Sequence, residues 1–307
     1  MMNDIFFLVL PFFALVITGY VAARWRILDA PGVLGINRFV YFFALPALLF
    51  NKMAETDFSR LVSESAFVLA HLVAGLVVFA LMWGTAKVLF KAGRNSLAVM
   101  ALAGCYGNIG FLGIPLLVSV LGGDAAAPLS LMLLVDVAFF IPFATILMSP
   151  MGAGNLRHII MRGVVKNPLI IAILVGAGFS AAGVGLPGEL AGFTNLLGQA
   201  AAPAAMFALG AVLAGRPIAD GLGEASWVSV FKLAVHPLIM WGAMTVFGVS
   251  DAWRLVATLG AATPVAAALF VIAQEHDAMP ARASTAVLIS TAVSLISLPL
   301  LIVWLMN

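Results

Sequence analysis

The chain has 307 residues, of which 64% are hydrophobic and 9% charged, and its mean hydropathy is +1.15. A water-soluble fold carries about a quarter charged residues, so this composition excludes one and indicates an integral membrane protein with the bilayer as its main partner. The net charge of +2 carries little information, no nucleic-acid partner is expected, and the single cysteine, Cys105, excludes an internal disulfide and a cysteine-held metal.

Crossing the hydrocarbon core as a helix takes about 20 apolar residues. Such stretches lie near 4–23, 31–53, 62–86, 95–121, 126–149, 165–186, 191–214, 225–248, 253–275 and 281–306. The first carries Asp4 and lacks the basic leader of a secretory signal, so it is expected as a retained helix. The third contains His71, a proton acceptor if a partner exists and otherwise a hydrogen-bonded packing residue.

The fourth stretch holds Gly104, Gly107, Gly110, Gly113, Asn108 and Pro115 within residues 103–115. Glycine costs about 1 kcal/mol in a helix interior and proline about 3 kcal/mol, so the spacing predicts two half-helices with an unwound stretch between them. The second half-helix would begin inside the membrane with free N–H groups and a positive dipole end, which suits an anion. Asn108 would add an amide donor and acceptor. The plainer reading is that small residues merely let helices approach closely.

The fifth stretch contains Asp136 between apolar neighbours. An intramembrane carboxylate is a functional candidate by default, with a neutral, hydrogen-bonded carboxyl as the alternative. The segment from 150 to 164, rich in glycine and arginine, reads as a cytoplasmic linker. The eighth stretch carries Lys232, which either snorkels to the interface or helps to bind an anion. His236 follows one turn later, before Pro237, where it would satisfy a kinked backbone. The ninth stretch is interrupted by Thr263 and Pro264. Trp25, Trp83, Trp227, Trp253 and Trp304 fall near span ends as interfacial anchors.

Prolines repeat across the chain: Pro11 with Pro168, Pro46 with Pro203 and Pro142 with Pro299, each pair 157 residues apart. The same offset places Gly107 over Pro264. A duplication follows, residues 1–149 and 165–307. Five spans per copy force the second copy to insert inverted, with broken helices 4 and 9 crossing at the centre. Matched interruptions in two halves point to a carrier's substrate site, here Gly107, Asn108, Gly110, Pro115, Thr263 and Pro264, with Asp136, His71 and Lys232 as coupling candidates. Eleven basic residues fall in one set of connections against three in the other, which places both termini outside the cytoplasm of a multi-pass protein in the cell (inner or plasma) membrane.

The run Asn108-Ile109-Gly110-Phe111-Leu112-Gly113-Ile114-Pro115-Leu116 resembles the fourth-span signature of the auxin efflux carrier family, which includes plant auxin exporters and bacterial malate or malonate carriers. Further matches follow in order, among them Ala44-Leu45-Pro46-Ala47-Leu48-Leu49-Phe50, Asn167-Pro168-Leu169, Met206-Phe207-Ala208-Leu209-Gly210, Lys232-Leu233 with His236-Pro237, and Phe270 to His276. The resemblance implies an all-α fold of ten helices like those of sodium/proton antiporters and bile acid symporters. It also implies a scaffold of spans 1, 2, 6 and 7 beside a transport unit of the remaining six. Asn108 would contact the substrate carboxylate, and Pro115 and Pro264 would mark the crossing. The long cytoplasmic loop of plant members is missing, so control by loop phosphorylation does not carry over.

The expectation is a secondary carrier of a small mono- or dicarboxylate, such as malate or malonate, using alternating access with proton or sodium influence. It is not an enzyme, has no cofactor or metal centre, and is compatible with a homodimer. A sodium/proton antiporter of related fold is the alternative, disfavoured because Asp136 lacks a second carboxylate in another span. An intramembrane protease ranks below both, since no paired aspartates or metal motif occur.

Overall fold

The computed structural model describes residues 2–148, 165–215 and 221–306, with side chains from residue 10 onward. The linker expected at 150–164, with Arg157 and Arg162, lies outside the described residues, as does Arg216. The described chain is helical: α1 (Met2–Arg24), α2 (Ala30–Glu55), α3 (Phe58–Ser63), α4 (Ala66–Phe90), α5 (Arg94–Cys105), α6 (Ile109–Leu121), α7 (Gly123–Met148), α8 (Pro168–Ala182), α9 (Gly188–Ala214), α10 (Leu222–Val246), α11 (Asp251–Ala261), α12 (Leu269–Glu275) and α13 (Pro280–Met306). Among the described residues six helices (α2, α4, α7, α9, α10 and α13) are long and apolar enough to cross a membrane, and α6, α8 and the stretch Leu10–Arg24 of α1 are shorter apolar helices. This is a multi-pass membrane protein.

Local chemistry sets the helix ends. Asp29 accepts from the Gly32 N–H at the start of α2, where Pro31 occupies the first turn. Asn167 does the same for α8, accepting from Leu169 and Ile170 ahead of Pro168's place in the first turn. Such caps satisfy amides that have no partner within the helix. Gly183 closes α8 at φ +63°, a left-handed conformation that side chains disfavour. The third expected span starts at Ala66 rather than 62, because Asp57 caps a separate short helix, α3, at the Ser59 amide.

Prolines shape the helices in a consistent way. Pro46, Pro115, Pro142 and Pro237 are each preceded by a five-residue π turn: Val40–Ala44, Ile109–Gly113, Asp136–Phe140 and Phe231–Val235. A proline ring lacks an N–H and crowds the carbonyl four residues back. Widening the preceding turn relieves that clash. Three times the residue just before the proline donates five residues back: Leu45 to Val40, Ile141 to Asp136 and His236 to Phe231. Asp136 and Lys232 both lie in such widened turns, which recur at functional sites.

The chain clusters into two compact units, each drawing on both halves of the sequence. The first comprises Met1–Ser65, Gly110–Leu134 and Val165–Gly215. Its helices meet through glycines, as close packing in lipid favours. A Cβ on Gly19 would lie 1.9 Å from the Phe207 carbonyl oxygen, and one on Gly210 would lie 1.8 Å from that of Val16. Gly176 and Gly198 bring α8 and α9 against α2 in the same manner. Asn51 and Thr194 hydrogen-bond at 2.6 Å between α2 and α9. This unit holds the first, second, sixth and seventh expected spans and also α6 with the first part of α7.

The second unit comprises Ala66–Ile109, Val135–Val164 and Arg216–Asn307. In it α4 packs on α5 and α10, and α10 packs on α11 and α13. The Phe140 ring lies against Gly75, where a Cβ would meet it at 2.2 Å. Trp253, expected at the interface, is buried at 2% exposure with its ring edge-on to Phe67. Trp25 and Trp304 are 74% and 72% exposed.

Candidate functional site

The helix formed by residues 94–105 ends where the sequence places Gly104, Gly107 and Asn108, and α6 resumes at Ile109. The helix α11 ends at Ala261, and α12 starts only at Leu269. The two interruptions lie against each other. Asn108 N–H donates to the Pro264 carbonyl at 2.8 Å, and Ala266 N–H donates to the Tyr106 carbonyl at 3.3 Å. Gly107 and Val265 thereby form a short antiparallel bridge. One amide expected to be free, that of Asn108, is therefore occupied by backbone. Val265 N–H donates to Ser290 Oγ on α13 at 3.1 Å, which holds the second break from the other side.

Asn108 is 3% exposed, and its Nδ2 has no hydrogen-bond partner. An unpaired buried amide costs about 1–3 kcal/mol, so the group is poised to gain from an acceptor such as a carboxylate. Thr263 turns its hydroxyl back to the Gly260 carbonyl at 2.7 Å, finishing the end of α11. Gly110 and Pro115, expected in the same site, are buried in α6 and belong to the first compact unit.

Lys232 does not snorkel. It is 0% exposed, and its ammonium donates to the Ala261 carbonyl at the C-terminal end of α11. It also lies 3.1 Å from His236 Nδ1. Gly107 makes room for it, since a Cβ there would sit 3.0 Å from Lys232 Nζ and 2.5 Å from Thr263 Oγ1. His236 thus turns toward Lys232, leaving its Nε2 without a partner, instead of serving the kinked backbone.

Asp136 and His71 are brought together. Both side chains are 1% exposed, with Nε2 to Oδ1 at 2.9 Å, and His71 Nδ1 and Asp136 Oδ2 have no partner. At that distance one of the two groups donates a hydrogen bond to the other. Asp136 and Cys105 are also within electrostatic reach of Lys232. Sequence reasoning left the inward turn of Lys232 as one of two alternatives and missed the part played by Ser290. The four-residue spacing of Lys232 and His236, which puts both on one helix face, was the available signal.

A cavity of about 510 Å³ opens in the second unit, bordered by Leu233, Pro237, Trp241, Thr258, Leu301 and Trp304. Its wall is apolar and omits Asn108 and Asp136, which fits hydrocarbon better than a carboxylate.

The family described as membrane transport protein matches residues 4–302. The chain belongs to it, as a member of the auxin efflux carrier family. A candidate malonate transporter of Rhizobium meliloti (strain 1021) is 33% identical over 95% of this chain and 93% of its own length. An uncharacterized transporter of Methanothermobacter thermautotrophicus is 28% identical over 95% of both chains. A candidate auxin efflux carrier component, 1b, of Oryza sativa subsp. japonica is 30% identical over 47% of this chain and 27% of its own. The family places the chain among transporters, and the resemblance of the fourth-span motif to this family holds.

Proposed function

We propose that the protein is a secondary carrier of a small mono- or dicarboxylate, malonate or malate in type, working by alternating access. In this reading ten membrane-crossing helices form two inverted five-helix repeats, 1–149 and 165–307, in the cell membrane with both termini outside the cytoplasm. The substrate carboxylate is held by the Asn108 amide, beside the joined helix breaks of the second unit. Asp136 with His71 carries the proton that biases exposure of the site.

The observation that carries the proposal is the joined pair of helix breaks with a buried amide donor left free beside them. Such interruptions at matched positions are what carriers use to present main-chain dipoles to a substrate inside the membrane. The Rhizobium relative's name supports malonate as the first ligand to try.

Purified protein is expected to be stabilised against heat by malonate or malate and not by chloride at equal ionic strength, since a ligand of the native state raises stability by mass action. Losing one hydrogen bond to a charged group should weaken binding in Asn108→Ala about 10- to 100-fold, while the protein remains monodisperse in detergent. Unchanged malonate affinity or uptake in that variant would refute the site.

A further inference from the structure

The apolar cavity of the second unit has a definite length and direction. It is lined by α10, α11 and α13, and its inner end lies at Leu233 and Ala262, the chain neighbours of Lys232 and Thr263. Its other end is flanked by Trp241 and Trp304. From Leu233 to Trp241, and again from Ser297 to Leu305, the helices rise about 12 Å. One leaflet of a bilayer has a hydrocarbon depth of about 15 Å, so the cavity runs through most of one leaflet. Its volume of about 510 Å³ is close to the bulk of a single lipid acyl chain. Leu238, Leu300 and Trp304 on its rim are exposed, which leaves it open along the side that hydrocarbon covers.

A cation stands at the end marked by the tryptophans. Arg254 lies one turn before Thr258, which lines the cavity, and sets its guanidinium 4.5 Å from the centre of the Trp241 ring. Its Nη2 pairs with the exposed carboxylate of Asp251 at 2.6 Å, while its Nε has no hydrogen-bond partner. An exposed pair of that kind contributes little. A cation in the first turn of α11 also meets the positive end of the helix dipole, so Arg254 gains nothing from its own helix. What a guanidinium matches well is phosphate, which it can grip with two N–H groups at once. Basic side chains at the mouth of a cleft between membrane helices are how anionic headgroups are recognised.

We infer that this cavity is a binding site for one anionic phospholipid, with an acyl chain filling the space between α10, α11 and α13 and the phosphate on Arg254. The lipid comes from the leaflet that Arg254 faces. The inference goes beyond the carrier reading and does not rest on it. Because the inner end of the cavity adjoins the second helix break, the chain braces α10 against α13 at that level, and the bound lipid stabilises the fold.

The test uses the whole protein in mild detergent. Native mass spectrometry should find one phosphatidylglycerol retained per chain, and adding that lipid to stripped protein should raise the melting temperature by about 5 °C. Phosphatidylcholine with the same acyl chains should bind about 10-fold more weakly, and glycerol phosphate, which has no chains, should have no effect. Arg254→Gln should erase the preference between the two lipids. Ser297→Phe, which puts a ring into the cavity, should lose both. Equal binding of the two lipids by the wild type would overturn the inference. So would the full effect from glycerol phosphate or from oleate, since the ligand would then be a free phosphate or a free fatty acid. A dimer that Ser297→Phe dissociates would seat a second copy of the chain in the cavity and overturn it as well. If neither variant can be purified, the comparison of lipids on the wild type still decides.

Discussion

Asp136 and His71 illustrate how little of a buried polar pair is visible from either residue alone. Each sits on an apolar helix, and neither has a sequence neighbour that names its partner. The contact joins α4 to α7 across 65 positions of sequence, a separation no local pattern encodes. The pair meets through one nitrogen and one oxygen atom, and one further atom on each side is unpartnered. An amide at position 136 keeps the shape and removes the titratable oxygen. Asp136→Asn should therefore flatten the pH profile of uptake while substrate affinity stays near that of the parent. A profile identical to wild type would assign the pair to packing. Lys232 was harder to read, because its position about two turns inside a helix allows either snorkelling or burial. The outcome depends on helix rotation, and the space that decides it is made by Gly107, which lies 125 positions earlier in the chain.

The elements themselves were more legible. Glycine and proline weaken a helix, and where both accumulate the helices stop at 106–108 and again after Ala261, although Gly110, Gly113 and Pro115 remain helical. The π turns were not read, although four prolines announce them, because propensity scales report that a helix is weakened and not how it re-pairs. Glycines divide by what faces them. Gly107→Ala would press a methyl group onto Thr263 and Lys232 and should lower stability by about 1–3 kcal/mol, seen as a drop in melting temperature. Gly84→Ala, in α4 with nothing within 4 Å of the added carbon, should be neutral or stabilise by up to about 1 kcal/mol. Equal effects of the two substitutions would show that the crowding at Gly107 is relieved by movement of its neighbours.

For the whole molecule, the sequence reading offered an orientation from the distribution of lysine and arginine. The single cysteine makes it testable without further engineering, since Cys105 is buried at 2% exposure and should stay silent to polar reagents. Gly93 and Gly185 are exposed and have nothing within 4 Å of an added carbon. Gly185→Cys should react with a membrane-impermeant maleimide on intact cells, and Gly93→Cys only once the membrane is opened. The reverse pattern would invert the topology. The two units draw on both halves of the chain: the first gathers spans 1, 2, 6 and 7, and residues 110–134, about half of the fourth and fifth spans, cluster with it. That boundary falls inside continuous helices, where no composition shift marks it.

The rung between Tyr106–Asn108 and Pro264–Ala266 is made of main chain, so no replacement of a side chain can unfasten it. Two stretches 158 residues apart are riveted into a single strip. Under the alternating access proposed above, whatever exposes that strip to one side of the bilayer or the other must carry both stretches as cargo and cannot pry them apart. The selecting surface can then be stiff while the path to it opens elsewhere.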